Sequence, residues 1–257
     1  MANIEVTIDN AVAVVRLNRP AERNAMTLAM WRDVARIFSE LGRAPTVRAI
    51  VLTGAGGNFS VGADVSEFAA VRSNAESSAA YEVAVDASSD AIAGVPKPVI
   101  AVIEGYCLGG GCHLSMACDF RFTHSDASIG IPAAKLSIVY GIRSTQRLLS
   151  LVGLTNAKRI LYSAERFGAA EAEKMGFSDR VSDNPMRDAK VFAASIAMLA
   201  PLSVAGAKLI LTDLTMGQGA LETKAAQSFI DQVSASEDYE EGRRAFAEKR
   251  PAIFKGR

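Results

Sequence analysis

The order of apolar and polar residues predicts a chain in which short buried strands alternate with helices. Residues 4–8 alternate apolar and polar positions, which is typical of a strand with one face in water. A turn at Asp9 and Asn10 leads back into the apolar run 12–17, so the pattern predicts an opening hairpin. Other apolar runs predict strands over residues 47–53, 98–103, 119–123, 128–131 and 178–182.

Between these runs, apolar residues recur at helical spacing. The first helix begins after Thr27, whose side chain can cap it, and carries an apolar stripe that includes Trp31 and Leu41 before Gly42 ends it. Residues 77–93 alternate small and polar side chains, as in a loosely amphipathic helix. Further helices are predicted over residues 112–118, 143–151, 156–162, 169–175, 185–199, 203–216, 220–236 and 240–249.

The alternation of strands and helices indicates the fold class. Strands separated by helices favour parallel pairing through right-handed crossovers, so the predicted class is α/β. After the last predicted strand the sequence is almost wholly helical. We therefore place a boundary between an α/β core and a helical C-terminal region near residue 200.

Three consecutive glycines, residues 109–111, stand between the strand 98–103 and the helix 112–118. Consecutive glycines cost backbone entropy and add no side-chain packing, so they favour a place where the backbone comes close to something else. A strand, a glycine turn and a helix start leave N–H groups free at the positive end of the helix dipole, which suits an oxyanion or a phosphate. A second glycine-rich loop, residues 54–64, also follows a strand, and two such loops could hold one oxygen from both sides. The alternative is a tight packing turn.

Dinucleotide binding is the rival interpretation of these glycines. The Rossmann fingerprint needs glycine at its third position, but Phe59 stands there in residues 54–59. Residues 105–111 have the wrong spacing. The sequence therefore argues against a dinucleotide site.

Composition and charge exclude several classes of function. Acidic and basic residues balance at 28 each, so no net charge attracts the chain to nucleic acid or to a membrane surface. No apolar run is long enough to span a bilayer, and the first residues lack the apolar core of a signal peptide. Cys107, Cys112 and Cys118 lie in apolar sequence without disulfide or zinc spacing. We interpret them as reduced core residues of a cytoplasmic protein without a metal site, with Cys112 as a nucleophile the minor alternative.

Five motifs in order along the chain resemble the crotonase (enoyl-CoA hydratase/isomerase) superfamily. They are LNRPAERNAM at 17–26, NFSVGADVSEF at 58–68, KPVIAVIEGYCLGGGCHLSMACD at 97–119, TQRL at 145–148 and EGRRAFAEKRPAIFKGR at 241–257. The resemblance implies a crotonase-like spiral of ββα units over residues 1–200 and a helical trimerisation region over 201–257. It also implies a homotrimer or homohexamer that binds an acyl-CoA thioester, with coenzyme A as part of the substrate and no separate cofactor.

In the resembled family, two backbone N–H groups hold the thioester carbonyl oxygen and stabilise the enolate charge that develops there. The resemblance places these groups at Ala63, which precedes the Asp of the GAD motif, and at Gly110, the middle glycine of GGG. It implies a wider set of positions that bind the substrate and its CoA, namely Arg19, Glu22, Asn24, Ser60, Gly62, Ala63, Asp64, Gly109, Gly110, Ala133, Lys249 and Lys255.

The catalytic side chains depart from the family pattern. The hydratases carry one Glu just after GGGC and a second after the Pro of the following strand, where this chain has His113 and Ala133. His113 is three residues beyond Gly110, about one helical turn, so it lies near the same face. Near a helix N-terminus a neutral imidazole is favoured, which suits a general base or a hydrogen-bond donor. The alternative is a core histidine bonded to a carbonyl oxygen.

A second group of departures follows the same strand. Tyr140 stands in LSIVYG, where the family has LGLIPG, and resembles a tyrosine of the methylmalonyl-CoA decarboxylase branch. It is either a second catalytic candidate or an aromatic wall of the acyl pocket. Arg143 and Ser144 replace glycines of the usual GAGGTQ run, and Arg143 could meet an acidic acyl group or form a surface ion pair, which we favour.

These observations predict an acyl-CoA enzyme that acts through an enolate, with Ala63, Gly110, His113 and Tyr140 as its catalytic candidates. Two alternatives remain open. One is an acyl-CoA decarboxylase-like enzyme that uses Tyr140. The other is a protein that binds acyl-CoA without turnover, because both expected Glu are absent.

Overall fold

A six-stranded sheet forms the centre of the molecule, whose computed structural model describes residues 2–136, 138–216, 232 and 236–257. Its strands are β1 (Ile4–Asp9), β2 (Val12–Leu17), β3 (Ala49–Gly54), β4 (Val99–Ile103), β6 (Phe120–His124) and β9 (Arg180–Ser182). They lie in the order β1-β2-β3-β4-β6-β9. β1 and β2 pair antiparallel as the predicted hairpin, and all other neighbours are parallel.

Both faces of this sheet are covered, which explains why its inner strands are apolar at successive positions. Along β3, Ile50 and Leu52 point into the larger core, whereas Ala49 and Val51 point into a smaller core on the other face. The larger core contains α1 (Leu28–Arg43), α3 (Ala75–Gly94) and α4 (Gly110–Ala117). The smaller core is closed by α7 (Pro185–Ala197).

A second, three-stranded sheet lies beside the glycine turn. It consists of β5 (Tyr106–Leu108), β7 (Ser128–Gly130) and β8 (Arg166–Gly168), in the order β5-β7-β8. The sequence pattern predicted β7 but neither β5 nor β8, because β5 falls within the stretch between Gly105 and the glycine turn, and β8 lies in sequence that otherwise predicts helices. β5 leads directly into Gly109, so this sheet positions the turn that begins α4.

The remaining helices surround these sheets. They are α2 (Phe68–Val71), α5 (Ile142–Ser163), α6 (Ala169–Lys174), α8 (Pro201–Met216) and α9 (Glu237–Glu248). The two helices predicted over 143–151 and 156–162 are one element, α5, interrupted by non-helical backbone at Gly153. The helix predicted over residues 220–236 lies almost wholly outside the described residues.

Among the predicted boundaries that differ from the structure, two concern a turn and a glycine. The hairpin turn is centred on Asn10 and Ala11, with φ of 46° and 68°, rather than on Asp9 and Asn10. Helix α1 passes through Gly42 and ends at Arg43. A Cβ at Gly42 would lie 3.3 Å from the Val95 side chain, so this glycine permits close packing against the end of α3 instead of ending the helix.

Helix α8 is attached to the core by a buried lysine. Lys208 Nζ donates to Asp119 Oδ2 at 2.8 Å and to the Lys97 carbonyl at 3.0 Å. Further along the same helix, Leu211 and Leu214 are 62% and 64% exposed. Within the described residues no single helix is long and apolar enough to cross a membrane, and α7 and α8 meet that criterion only as a pair bent by 111°.

Candidate active site

A cavity of about 550 Å³ opens between the glycine turn, α3 and the start of α5. It brings together six of the predicted site residues, which come from four separate stretches of sequence: Ala63, Gly109, Gly110, His113, Ala133 and Tyr140. Apolar and aromatic side chains from α1, α2 and α3 form much of the rest of its wall, among them Trp31, Phe68 and Tyr81. An apolar cavity with a few convergent polar groups is typical of a small-molecule site.

The first expected amide, that of Ala63, is free to face this cavity. Ala63 pairs with Met26 as an isolated parallel bridge. The Met26 N–H donates to the Gly62 carbonyl oxygen, and the Met26 carbonyl oxygen accepts from the Asp64 N–H. These bonds engage the Gly62 carbonyl and the Asp64 N–H. The Ala63 N–H lies opposite the Gly62 carbonyl in their shared peptide group, so it points away from Met26. No hydrogen bond among the described residues uses the Ala63 N–H as donor.

The second expected amide belongs to Gly110, the first residue of α4. The first N–H groups of a helix have no partner within it, and the Gly110 N–H has none elsewhere in the described part of the chain. The two loops are in contact, because a Cβ at Gly62 would lie 2.8 Å from Gly110 N. The structure therefore places two unpaired amides on adjacent loops at one cavity.

Tyr140 is hydrogen-bonded to the glycine turn. Its hydroxyl donates to the Gly109 carbonyl oxygen at 2.9 Å. Burial raises the pKa of Tyr140 well above its ordinary value, so the phenol stays protonated. The ring also meets the His113 ring edge-on, with centroids 6.3 Å apart. Tyr140 is thus both a wall of the cavity and a support for the turn.

His113 is buried, with 4% of its surface exposed, and both ring nitrogens have partners. Nδ1 lies 2.7 Å from Ser144 Oγ, and Nε2 lies 3.3 Å from the Val85 carbonyl oxygen. Burial, and secondarily the Arg147 charge, lower the pKa of His113 to about 4. The imidazole is neutral at pH 7, as expected from the sequence. The sequence predicted this direction of the shift, and burial is its largest cause in the structure.

A line of acidic residues on α3 meets arginines from α5. Asp90 pairs with Arg147 at 2.8 Å and with Arg143, which confirms the expected ion pair of Arg143. Asp86 lies one turn away and lines the cavity, but no hydrogen bond or ion pair to its carboxylate occurs among the described residues. Burial and the Asp90 charge raise the pKa of Asp86 above its ordinary value.

Several predicted CoA-binding residues build the loop that carries Ala63. Asn24 is fully buried, and its side chain bonds to the backbone of Arg19, Ala55 and Asn58.

Arg19 and Ser60 make further contacts within this loop. Arg19 donates to Asp64 Oδ2 at 2.8 Å, and its Nε lies 3.8 Å from Glu22. Ser60 Oγ donates to the Asn24 carbonyl and accepts from the Gly62 N–H. These side chains hold the loop in place, and a role in binding CoA stays a prediction.

The C-terminal lysines and the cysteines lie away from the cavity wall. Lys249 and Lys255 are exposed near α9 and are not among the residues that line it. Cys112 is fully buried, and its thiol donates to the Cys107 and Gly130 carbonyls, so it is out of reach of a substrate. All three cysteines are free and buried, as the sequence predicted.

The sequence analysis did not assign Asp86 to the site and gave Ser144 no role. Asp86 lies on α3, where small and polar residues alternate, so the sequence pattern does not indicate which side of this helix faces the cavity. In the sequence, Ser144 differs from the family pattern only as a replacement for glycine. Its meeting with His113 depends on how α5 packs on α4, which a pattern along one element does not reveal.

Comparisons with known proteins identify the family. The family model described as Enoyl-CoA hydratase/isomerase matches residues 7–257. The chain belongs to the enoyl-CoA hydratase/isomerase family. The relative YngF of Bacillus subtilis, named for the same family, is 35% identical over 99% of this chain and 98% of its own. The short-chain-enoyl-CoA hydratase of Clostridium acetobutylicum is 33% identical over 96% and 95% of the two chains.

Solved structures of the enoyl-CoA hydratase/isomerase family share the whole fold. A family protein from Hyphomonas neptunium superposes with a TM-score of 0.95 at 37% identity, over 100% of this chain and 98% of that one. An enoyl-CoA hydratase from Bacillus anthracis gives 0.89 at 32% identity, with both chains covered completely. The predicted α/β crotonase fold and the family are therefore confirmed, and the chain is an enzyme of the enoyl-CoA hydratase/isomerase family.

Proposed function

We propose that this protein acts on an acyl-CoA thioester through an enolate, with the thioester oxygen held by the Ala63 and Gly110 amides. The observation that carries the proposal is that both amides lie on touching loops at one cavity and have no hydrogen-bond acceptor within the described part of the chain. Fixed dipoles of this kind stabilise charge on an oxygen without reorganisation, and losing one donor typically costs roughly 3 kcal/mol of barrier.

The basic group of the proposed reaction is His113. Its pKa of about 4 makes it as weak a base as the Glu carboxylate that the family pattern has at this position. The two groups differ in charge rather than in base strength. A carboxylate begins charged and becomes neutral when it takes a proton, whereas His113 begins neutral and becomes a cation. Beside an enolate, that cation completes a neutral pair.

The position of the second Glu offers no base. Ala133 lines the cavity with a methyl group, so nothing at this position can activate a water molecule. One proton carrier is enough to remove a proton from a substrate and return it elsewhere, whereas adding water across a double bond uses a second group. The loss of this carboxylate argues against hydration by the usual pair of Glu.

Exchange of the α-hydrogens of a saturated acyl-CoA tests the enolate directly. Acetyl-, butyryl- and octanoyl-CoA would be incubated with the protein in deuterated water, and deuterium uptake followed by mass spectrometry. We expect uptake well above the buffer rate for at least one chain length. The same panel is extended to enoyl-, malonyl- and β-hydroxyacyl-CoA, so that it also identifies the chain length and the overall reaction.

One outcome of that experiment would contradict the proposal. If acyl-CoA binds tightly but no thioester exchanges or turns over above background, the protein binds acyl-CoA without catalysis. Turnover of malonyl- or methylmalonyl-CoA alone would instead favour decarboxylation.

The proposal includes an assembly of three or six chains. Leu211 and Leu214 present an apolar face on α8 that stays exposed in the described structure of the single chain. Exposed apolar faces of this kind are typical of subunit interfaces.

A further inference from the structure

Two positions at which this chain departs from the family motifs meet inside the cavity. His113 stands after GGGC, and Ser144 stands 31 residues later in the TQRL-bearing helix. Their side chains lie 2.7 Å apart, and both residues are nearly buried, with 4% and 3% of their surfaces exposed. Both also line the cavity. One ring nitrogen of His113, Nδ1, is therefore within hydrogen-bond distance of the Ser144 hydroxyl. This contact determines how His113 can take up a proton.

The surroundings of the imidazole determine which nitrogen carries the proton. The Val85 carbonyl oxygen can only accept a hydrogen bond, so Nε2, at 3.3 Å from it, carries the hydrogen of the neutral ring. Nδ1 is then the basic nitrogen, and the Ser144 hydroxyl donates to it. The lone pairs of Ser144 Oγ remain for another partner. The neutral state follows from burial and from Arg147, which hold the pKa of His113 at about 4.

We propose that Ser144 is the catalytic group that exchanges a proton with the substrate and that His113 acts through it. This inference rests on the proposed enolate function. When the α C–H bond breaks, its proton moves to Ser144 Oγ while the hydroxyl proton of Ser144 moves to His113 Nδ1. The electron pair goes to the thioester oxygen between the Ala63 and Gly110 amides. The reverse transfers return a proton to a carbon of the acyl chain and restore both side chains.

The fixed arrangement of the pair suits this step. Edge contacts with Trp31 and Tyr140, at 6.5 Å and 6.3 Å between ring centroids, restrict rotation of the His113 ring. The charges that act on the imidazole are Arg147 and Asp90, which are paired with each other, and Arg143 is paired with the same Asp90. Glu82 and Asp86 also line the cavity; Glu82 is paired with Arg72, whereas Asp86 has no ion-pair partner among the described residues. The enolate and Asp86 are therefore the negative charges that can face a protonated His113.

A double-mutant cycle tests whether the two residues act as one unit. The variants are Ser144→Ala, His113→Gln and the double variant, and the rate measured is deuterium uptake into butyryl-CoA. Each single change should slow exchange by about 100-fold, the usual range for an acid–base group, and the double change by no more than that. Ser150→Ala, on the exposed side of the same helix, should leave the rate unchanged.

Independent roles would give a different pattern. If the two losses multiply to about 10⁴-fold, or if Ser144→Ala exchanges at the parent rate, the relay is wrong. In both cases the parent still exchanges, so the enolate function stands. If the parent itself shows no exchange while it binds butyryl-CoA, the proposed function fails and the relay fails with it.

The tautomer can be observed directly, because the chain has only two histidines, His113 and His124. In ¹⁵N-histidine-labelled protein, long-range proton–nitrogen spectra at pH 7 should show His113 as a neutral ring with its proton on Nε2. Ser144→Ala should shift the Nδ1 signal of His113 and leave His124 unmoved. A proton on Nδ1 would overturn the relay, since Ser144 would then be the acceptor.

Discussion

The Tyr140 hydroxyl donates a 2.9 Å hydrogen bond to the Gly109 carbonyl oxygen, which belongs to the same peptide group as the Gly110 N–H. In a trans peptide the C=O and the N–H point in opposite directions. Holding the carbonyl on one side therefore aims the N–H at the other. A hydrogen bond to the carbonyl also polarises the amide, which strengthens its N–H as a donor. Tyr140 is thus a positioning residue for the Gly110 amide.

Tyr140→Phe should therefore weaken the proposed oxyanion site without removing it. Loss of one neutral hydrogen bond is worth about 1 kcal/mol, so we expect deuterium uptake into butyryl-CoA to fall roughly 5- to 10-fold. The carbonyl stretch of the bound thioester should move back toward its frequency in water. Tyr162→Phe, a change at an exposed tyrosine of α5, serves as the control. Parent-like exchange and an unchanged stretch in Tyr140→Phe would show that the ring only lines the cavity.

Gly110→Pro tests the amide itself. Proline is tolerated at the first position of a helix, but it has no N–H. Its added Cβ would lie 2.9 Å from the Trp31 ring, so Gly110→Ala, which brings the same Cβ and keeps the N–H, is the matched control. We expect the downward shift of the thioester carbonyl stretch to be lost in Gly110→Pro and kept in Gly110→Ala. Equal spectra in the two variants, with binding intact, would refute the oxyanion assignment.

The fold was predictable wherever a period or a glycine turn could be seen along one element. The buried strands β2, β3 and β4 and the cap at Thr27, whose side chain accepts from Met30 N, agree with the sequence analysis. The strands β5 and β8 were missed because β5 lies inside the stretch that leads to the glycine turn and β8 lies among predicted helices.

The site was predictable in its backbone part and less so in its side chains. The glycine loops indicated that two amides would meet, and they do lie on touching loops. The sequence analysis placed a neutral His113 near them, but the partners of its ring come from α3 and α5, which are distant in sequence. Contacts between helices depend on tertiary packing, so Ser144 and Asp86 became visible only in the structure.

The buried His113 should make the protein less stable in weak acid. Its folded-state pKa of about 4 lies below the ordinary value of 6.5, so the unfolded chain binds more protons between these values. The contribution of His113 to stability is therefore most favourable above pH 6.5 and becomes less favourable as the pH drops toward 4. Between pH 7 and pH 5 this group should lower the free energy of unfolding by about 2 kcal/mol.

Urea unfolding at fixed protein concentration measures this effect. The difference between pH 7 and pH 5 should be about 2 kcal/mol smaller in His113→Gln, whose amide does not titrate. His124→Gln, a change at the other histidine, should keep most of the parent difference. If His113→Gln loses stability in acid as steeply as the parent, burial does not hold this imidazole neutral.

The Asp86 carboxylate, which has no hydrogen-bond or ion-pair partner among the described residues, should cost stability at neutral pH. Burial and the neighbouring Asp90 raise the pKa of Asp86 in the folded state, so the folded protein holds this proton more tightly than the unfolded chain. Its destabilising effect is present at neutral pH and disappears as the pH falls through its folded-state pKa. Asp86→Asn should therefore raise the free energy of unfolding at pH 7, by less than about 1 kcal/mol because the site is partly solvated. A lower stability of Asp86→Asn at pH 7 would mean that the carboxylate has a favourable partner.

The exposed face of α8 should hold the subunits together. Leu211 and Leu214 are 62% and 64% exposed in the single chain, while Lys208 on the same helix is buried against the core. Replacing both leucines with Glu should leave the chain folded, because its core loses nothing, but should prevent burial of this face between copies. In sedimentation at micromolar concentration we expect the parent to be a trimer or hexamer and Leu211→Glu/Leu214→Glu to be smaller. Ile8→Glu, at an exposed position of β1, should assemble as the parent does. A monomeric parent would contradict the assembly, and an unchanged assembly in the double variant would place the interface elsewhere.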